Sequence, residues 1–225
     1  MSRKTHLFYG GITMTTVYFI RHGQSEANLS QRFAGFIDVQ LTELGRQQAK
    51  CTAEFLADVP FAAVYSSDLA RAYDTACAVA SLHGLSVERV ADLREINAGA
   101  WENCRYDELY ETDAAFQLWT REIGKAVCTN GESVARLQAR VRAVVEGIVA
   151  RHPNEAICIV SHGTPIRALA SLYTNTSLEQ MHTVPWASNA SVMVVEFETP
   201  QQGRMVSYDL HEHLQELASK LPKNV

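Results

Sequence analysis

Short apolar runs that alternate with helical segments are the feature that most constrains the fold of this chain. Val17–Ile20 is the first such run, and Phe61–Ser67 and Ala156–His162 are two further runs that end in polar residues. Runs of this kind are typical of strands buried on both faces of a sheet, and intervening helices favour parallel pairing. The pattern therefore predicts an α/β fold with helices on both faces of the sheet.

The other segments show periodicities of their own. Residues 96–131 mix aromatic residues with many charges and contain no clean strand, which predicts short helices outside the sheet. Thr42 is a predicted helix N-cap, Gly84 a predicted helix end, and Gln201–Gly203 a predicted turn. The predicted helices are Leu44–Leu56, Leu69–Leu82, Ser133–Arg151 and Pro165–Leu172, and the additional predicted strands are Leu85–Val90, Ala190–Glu198 and Arg204–Asp209.

Length and charge exclude several classes of protein. The chain has 225 residues, of which 47% are hydrophobic, and this suits one large domain with a substantial core. We predict a single domain over residues 14–225, preceded by an N-terminal extension at residues 1–13 that ends before a second methionine, Met14. The net charge of −5 predicts no nucleic-acid partner, because such proteins usually present a basic face.

The cysteines and the apolar segments indicate the cellular compartment in which the protein is expected. No apolar run approaches the roughly 20 residues of a membrane span, so no membrane partner is predicted. The sequence leaves the oligomeric state open. An odd number of dispersed cysteines without a C-x-x-C pair predicts a reduced, cytoplasmic setting. These cysteines are Cys51, Cys77, Cys104, Cys128 and Cys158.

Polar residues follow three of the apolar runs at the point where each run ends. The first is followed by Arg21-His22-Gly23, the second ends in Ser66-Ser67-Asp68 and leads to Arg71, and the third ends in Ser161-His162-Gly163. In open α/β sheets, ligands bind outside the carboxyl ends of the strands. Arginine forks match the geometry of phosphate oxygens, so the convergence of these residues predicts a site for a phosphate group.

Each residue has a simpler explanation when it is taken alone. A histidine after a strand is more often a capping or surface residue, Arg71 could be a surface charge, and Gly23 and Gly163 could serve turns. Two His-Gly pairs at two strand ends, with an arginine at two of the tips, are hard to attribute to packing. The joint pattern favours function.

Five segments together resemble the histidine phosphatase superfamily, also called phosphoglycerate mutase-like. The resemblance covers Val17–Leu172, and the segments occur in the order that this family shows. The arginine-histidine-glycine triplet alone would be weak, whereas the full set is highly specific. The segments are RHGQSEANLSQRFAGFIDVQLTELGRQQA at 21–49, VYSSDLARAYDTA at 64–76, LREINAGAWE at 93–102, GES at 131–133 and VSHGTPIRAL at 160–169.

The resemblance implies a fold and a set of roles. The implied fold is a three-layer α/β/α sandwich with a mostly parallel central sheet and a small helical cap insertion at about 96–131. His22 would be the nucleophile that forms a phosphohistidine, and Glu95 would be the proton donor. The implied ligands of the transferring phosphoryl group are Arg21, Arg71 and His162, and the implied substrate- or phosphate-binding residues are Gly23, Gln24, Asn28, Ala34, Gly35 and Gly163.

The residue types agree with this chemistry, which consists mostly of positioning and charge stabilisation. His22 must attack through a neutral nitrogen, and the neighbouring Arg21 and Arg71 favour that form. Glu95 must be protonated when the alkoxide leaves, which requires a pKa above the model value of about 4.3. The histidines lack metal-ligand spacing, so no metal and no other cofactor is predicted.

Two features favour a phosphatase over a mutase of the same family. Glu95 is followed by Ile96-Asn97-Ala98-Gly99 and not by the longer E-R-x-Y-G insertion of mutases, and Ala34 replaces their usual hydroxyl residue. Between Asn97 and Asn130 there are three basic and six acidic residues, a balance of 3 − 6 = −3 that would oppose a bisphosphate cofactor. The predicted function is a metal-independent phosphomonoesterase for small phosphorylated metabolites, such as sugar or nucleoside-like phosphates. A cofactor-dependent phosphoglycerate mutase is the alternative, and a non-enzymatic phosphate-binding module is the third possibility.

Overall fold

The structure, a computed structural model, describes residues 14–219, so the predicted extension at residues 1–13 lies outside the described residues. The described chain contains six strands and seven α-helices. The strands are β1 (Thr15–Arg21), β2 (Phe61–Ser66), β3 (Val87–Arg89), β4 (Ala156–Ser161), β5 (Val192–Thr199) and β6 (Gln202–Leu210). The helices are α1 (Glu26–Ser30), α2 (Glu43–Phe55), α3 (Ala70–His83), α4 (Tyr106–Thr112), α5 (Ala114–Glu122), α6 (Val134–Arg151) and α7 (Gly163–Tyr173).

All six strands form one sheet in the order β3-β2-β4-β1-β5-β6. The first four strands of this order are parallel, whereas β5 pairs antiparallel with β1 and β6 antiparallel with β5. Arg21 pairs with Ser161 at the carboxyl ends of β1 and β4, and Ser66 of β2 pairs with Val160. The three strand ends that carry the predicted phosphate ligands therefore share one edge of the sheet, and the predicted mostly parallel α/β fold is confirmed.

Alternate residues of the central strand bury their side chains in two separate cores. Tyr18 and Ile20 pack with residues of α2 and α3, whereas Val17 and Phe19 pack with residues of α6 and α7. Both faces of the sheet are therefore covered by helices, as the resemblance implies. Because β1 is buried on both faces, it has the continuous apolar sequence that its position requires.

Several helix ends follow from local chemistry. The Thr42 hydroxyl accepts a hydrogen bond from the Gly45 N–H at 3.0 Å, which confirms the predicted N-cap of α2. Gly84 ends α3 with a φ of 64°, a left-handed conformation that glycine adopts without strain. The helix α1 was not predicted, because at five residues it is too short for a periodic pattern. Its signal is the capping box of Ser25 and Asn28.

The predicted turn at Gln201–Gly203 is displaced by one residue. The strand β6 already begins at Gln202, which pairs with Thr199, so the turn lies at 200–201. Gly203 therefore lies within the strand. A Cβ at this position would approach ring atoms of Phe197 and Tyr173 to 2.8 Å. Close packing, not turn geometry, explains this glycine.

Residues 96–131 contain α4, α5 and two short 3₁₀ helices, and no strand of the sheet. Trp101 is fully buried, and its indole Nε1–H donates to the Asp113 carboxylate at 2.9 Å. The rings of Trp119 and Phe116 pack edge-on against the Trp101 ring at centroid distances of 5.8 and 5.3 Å. This aromatic cluster gives the segment a core of its own, although its status as a separate cap stays a prediction.

No helix within residues 14–219 combines the length and the apolarity needed to cross a membrane. All five cysteines lie in the described region, and none of them is in a disulfide.

Candidate active site

The ends of β1, β2 and β4 meet at a cleft that is also bordered by α4, α5 and the chain before β5. His22 lies on its floor and is only 4% exposed, and the His162 ring packs beside the His22 ring with a centroid separation of 5.1 Å. Arg21, Arg71 and Glu95 line the same cleft. The structure therefore brings together all five residues that the sequence analysis places in catalytic roles.

The hydrogen bonding of His22 indicates which ring nitrogen is free. Its Nδ1 lies 2.7 Å from the Gly23 carbonyl oxygen, and a carbonyl oxygen can only accept. Nδ1 must therefore carry the proton, which leaves a lone pair on Nε2. Burial, followed by the charges of Arg71 and Arg21, holds the pKa of His22 well below its usual range. The ring is consequently neutral and nucleophilic at neutral pH.

Arg71, on the first turn of α3, is 1% exposed. Its Nη1 donates to the Ile37 carbonyl at 2.9 Å, and its Nη2 donates to the carbonyls of Ala34 and Gly35 at 3.1 and 2.8 Å. Burial lowers its pKa to about 10, so it remains a cation at neutral pH. These three bonds use three of its five N–H groups and leave two for a ligand.

Arg21 is held by a single backbone contact. Its Nη1 donates to the Ala187 carbonyl at 2.5 Å, while its buried Nε has no partner within the described chain. Burial lowers the pKa of Arg21, and the charge of Glu95 opposes that shift. A buried guanidinium with unused donors is suited to bind an anion, which would complete its hydrogen bonding.

His162 precedes α7 and is completely buried. Neither of its ring nitrogens has a hydrogen-bond partner among the described residues. Burial is the main reason that its pKa lies well below the usual range, and the charges of Arg71, His22 and Arg21 lower it further. The imidazole is therefore neutral in the free protein, with an N–H that lacks an acceptor.

The Glu95 carboxyl group is 9% exposed and lies beside the start of α7. One oxygen accepts from the Ile96 N–H at 2.8 Å and the other from the Thr164 N–H at 3.2 Å. Burial raises the pKa of Glu95 despite these hydrogen bonds. The structure thus supplies a buried carboxyl group with an increased tendency to hold a proton.

The backbone around Glu95 is held by Arg140, which forms an ion pair with the glutamate of the GES segment at residues 131–133. Arg140 of α6 donates to the carbonyls of Arg94 and Glu95, each at 3.2 Å, and pairs with the Glu132 carboxylate at 2.8 Å. Both side chains of this ion pair are largely shielded from solvent, with exposures of 17% and 12%. The pair anchors the chain that presents the proton-donor candidate.

The other predicted binding residues divide into two groups. Gln24, Asn28, Ala34 and Gly163 line the cleft. Gly23 and Gly35 lie behind its wall. A Cβ on Gly23 would approach the Gly45 carbonyl oxygen to 2.3 Å, and one on Gly35 would approach that of Ile96 to 2.3 Å. These two glycines permit close backbone packing and have no side chain to offer a ligand.

Several residues that line the cleft were not identified from the sequence. Thr164 could have been found, because it directly follows the His162-Gly163 pair. Two of the others lie within the 21–49 segment but were given no role there, the rest come from segments without a recognisable site motif, and aromatic residues are more often core. They include Arg32, Phe33, Tyr106, Trp119, Trp186 and Asn189.

Residues 14–219 contain no group of three or more histidine, cysteine, aspartate or glutamate side chains placed to hold a metal ion. Independence from metals stays a prediction for the assay below.

Comparison with known families decides the assignment. The sequence profile described as "Histidine phosphatase superfamily (branch 1)" matches residues 17–210, which is most of the chain. The chain belongs to the histidine phosphatase superfamily. The predicted family is confirmed, and the match extends well beyond the segments on which the resemblance was based.

Two curated relatives of this histidine phosphatase are named as phosphatases. It is 32% identical over 186 residues to phosphoserine phosphatase 1 of Hydrogenobacter thermophilus, covering 82% of this chain and 88% of the relative. It is also 32% identical over 180 residues to glucosyl-3-phosphoglycerate phosphatase of Mycobacterium tuberculosis, covering 76% of this chain and 81% of the relative. The predicted enzyme class, a phosphoric monoester hydrolase, is confirmed.

The solved structure of Bacillus stearothermophilus YhfR is similar throughout. It superimposes with a TM-score of 0.85 at 31% identity and covers 89% of this chain and 100% of its own. The sandwich fold that the resemblance implied is therefore confirmed by an independent structure.

Proposed function

We propose that this histidine phosphatase hydrolyses small phosphomonoesters through a phosphohistidine on His22, without a metal ion. The carrying observation is the state of His22, which is neutral, has Nδ1–H fixed by the Gly23 carbonyl and has Nε2 free on the floor of a cleft with two buried arginines. A neutral imidazole nitrogen between two cations suits attack on an anionic phosphoryl group.

In the first step, the Nε2 lone pair of His22 forms a bond to phosphorus while the bond from phosphorus to the ester oxygen breaks. The proton of the Glu95 carboxyl group passes to the departing oxygen, so the leaving group is an alcohol and Glu95 becomes a carboxylate. Arg21 and Arg71 neutralise charge on the oxygens of the transferring group, and Arg71 has two unused N–H groups for that purpose.

In the second step, water attacks the phosphohistidine. The water oxygen bonds to phosphorus, the P–N bond breaks, and the Glu95 carboxylate takes the proton from water. Inorganic phosphate then leaves, and His22 and Glu95 are restored to their starting states. The raised pKa of Glu95 serves both steps, because the same group must give up and then recover a proton near neutral pH.

His162 would bind an oxygen of the transferring phosphoryl group beside His22. Both of its nitrogens are buried without a partner, so a phosphoryl oxygen would supply the missing acceptor. The negative charge of that oxygen would also raise the pKa of His162 from its low value in the free protein. Phosphate binding is therefore expected to be accompanied by proton uptake at this ring.

The leaving-group side of the cleft favours an ester that carries a second anionic group. Arg32 lines the cleft, and within residues 14–219 its side chain makes one hydrogen bond, to the Asn103 carbonyl at 2.6 Å. No acidic side chain pairs with it within the described residues. The names of both curated relatives refer to phosphorylated carboxylic acids, which supports a carboxylate as this second group.

The phosphoglycerate mutase alternative is not favoured. A mutase would need to hold a bisphosphate, yet the segment from Asn97 to Asn130 has twice as many acidic as basic residues. A cytoplasmic location stays a prediction, which the five unpaired thiols support.

The proposal is tested by assaying the purified protein against p-nitrophenyl phosphate and a panel of metabolite phosphates in excess chelator. We expect phosphate release that resists the chelator and falls at least about 1,000-fold in His22→Ala. His182→Ala is the matched control, because His182 is an exposed histidine outside the cleft. Interconversion of phosphoglycerates on addition of bisphosphoglycerate, without phosphate release, would make the protein a mutase.

A further inference from the structure

Glu102 makes an unusual set of contacts for a residue that does not line the cleft. Its carboxylate accepts hydrogen bonds from three consecutive backbone N–H groups, those of Gly35, Phe36 and Ile37, at 3.0, 2.6 and 3.3 Å. Glu102 follows the short 3₁₀ helix Gly99–Trp101, whereas the three N–H groups belong to the loop between α1 and α2. The contact therefore joins two segments that are distant in sequence.

The same loop binds Arg71 through its carbonyl groups. The carbonyls of Ala34, Gly35 and Ile37 accept all three of the hydrogen bonds that Arg71 makes to the protein within the described chain. Residues 34–37 thus lie between two charged groups. The Glu102 carboxylate accepts hydrogen bonds from their N–H groups, and the Arg71 guanidinium donates hydrogen bonds to their carbonyls. Peptide dipoles in this arrangement favour both charges, and each contact polarises the next.

The packing of Gly35 leaves little freedom in this arrangement. A Cβ at this position would lie 2.7 Å from Glu102 Oε1 and 2.8 Å from the Ala98 Cβ. Only glycine therefore lets the carboxylate reach the backbone of the loop. Arg71 is itself 1% exposed, so its guanidinium has no room to find other acceptors when the loop shifts.

We propose that Glu102 is a positioning residue for phosphoryl transfer, which acts by holding loop 34–37 so that Arg71 directs its two unused N–H groups at the phosphoryl oxygens. This inference rests on the proposed function, because it assigns Arg71 to the transferring group. Replacement of the carboxylate by an amide removes one of the two oxygens that accept these three N–H groups, and this frees the loop that orients the arginine. A displacement of about 1 Å at a charged ligand of the transition state can cost about 100-fold in rate.

The test compares Glu102→Gln with Glu111→Gln. Both variants remove one negative charge from residues 96–131, but Glu111 is exposed and its side chain makes no hydrogen bond within the described part of the chain. We expect kcat/KM for p-nitrophenyl phosphate to fall about 10- to 100-fold in Glu102→Gln and inorganic phosphate to bind more weakly by calorimetry. Glu111→Gln should match the wild type in both measurements. Glu102→Asp, which keeps the charge on a shorter side chain, should recover part of the loss.

A double-mutant cycle separates positioning from a general structural role. Lysine at position 71 cannot make the three-carbonyl contact, so Glu102→Gln should cost little in an Arg71→Lys background. An equal cost in both backgrounds would overturn the inference, because Glu102 would then act elsewhere. A second result would also overturn the inference. The Glu102→Gln variant would have a lower midpoint of unfolding, yet at a temperature where the variant is folded its kcat/KM and phosphate affinity would equal those of the wild type.

The same experiment distinguishes this failure from failure of the proposed function. A wild type that releases no phosphate, but whose phosphate affinity depends on Glu102 and not on Glu111, would overturn the phosphatase proposal and leave the positioning role supported. A wild type that neither releases nor binds phosphate would overturn both. A wild type that releases phosphate, with Glu102→Gln and Glu111→Gln variants that have the same kcat/KM and the same phosphate affinity, would overturn the positioning role alone.

Discussion

The floor and the outer wall of the cleft are built in different ways. The floor consists of His22, Arg21 and His162 at the ends of neighbouring parallel strands, with Glu95 beside them. The wall consists of aromatic residues and Arg32, which come from two loops and two short helices. Strand ends fix the floor through the hydrogen bonding of the sheet, whereas the wall depends on side-chain packing between segments that are distant in sequence.

This difference separates the reaction from the choice of substrate. Groups on the floor contact the phosphoryl group that every phosphomonoester shares, so their loss should reduce activity towards all substrates. Groups on the wall contact only the leaving group, so their loss should change the ranking of substrates. Variants on the two sides can therefore confirm or break the division, beginning with the largest expected effect.

Glu95→Gln tests the floor most directly after removal of the nucleophile. Glutamine keeps only one of the two oxygens that accept the backbone hydrogen bonds, and it cannot supply a proton, so kcat for alkyl phosphates should fall about 100- to 10,000-fold. Cleavage of p-nitrophenyl phosphate in a single turnover should slow much less, because its phenolate leaves without protonation, whereas the later attack of water loses its base with either ester. Single-turnover kinetics of ester cleavage is the measurement. Equal losses in the cleavage rates of the two esters would show that Glu95 does not serve as the proton donor.

The pH profile provides a second readout of Glu95. Burial raises its pKa, and the protonated form is required, so activity on alkyl phosphates should decline as the pH rises through that raised value. The pKa of His22 is lowered and its neutral form is required, so activity should decline as the pH falls through that lowered value. The decline on the alkaline side should disappear in Glu95→Gln, and its persistence would assign that limb to another group.

Arg32→Gln tests the wall through a matched pair of substrates. The two esters 3-phosphoglycerate and glycerol 3-phosphate differ mainly in a carboxylate, so their ratio of kcat/KM isolates the second anion. Removal of the arginine should lower that ratio about 10-fold, the typical effect of one charge-assisted hydrogen bond. Arg136→Gln is the control, since Arg136 is exposed and outside the cleft. An unchanged ratio would remove the carboxylate from the proposed substrate class.

The sequence predicted the floor far better than the wall, and the reason is physical. His22 and His162 follow apolar strands directly, and the rule that ligands bind at the carboxyl ends of parallel strands then places them together. Arg32 and Trp186 come together only after the loops have packed, and no local pattern specifies that packing. The role of Glu102 could not be predicted either, although the residue ends the segment at 93–102. Its partners are backbone N–H groups, which every residue except proline has.

Trp186→Leu should give the smallest effect and the finest test of the division. The Trp186 ring lies 4.4 Å from the guanidinium of Arg167, which is itself bound to the carbonyls of Val184 and His182, so this side of the wall is held rigidly. Loss of the ring removes one aromatic contact, and kcat/KM for esters with a large leaving group should fall about two- to tenfold. Affinity for inorganic phosphate, measured by calorimetry, should not change, because phosphate has no leaving group to contact the ring. An equal loss of phosphate affinity would instead mean that the wall supports the floor, and the separation of chemistry from specificity would then not hold at this residue.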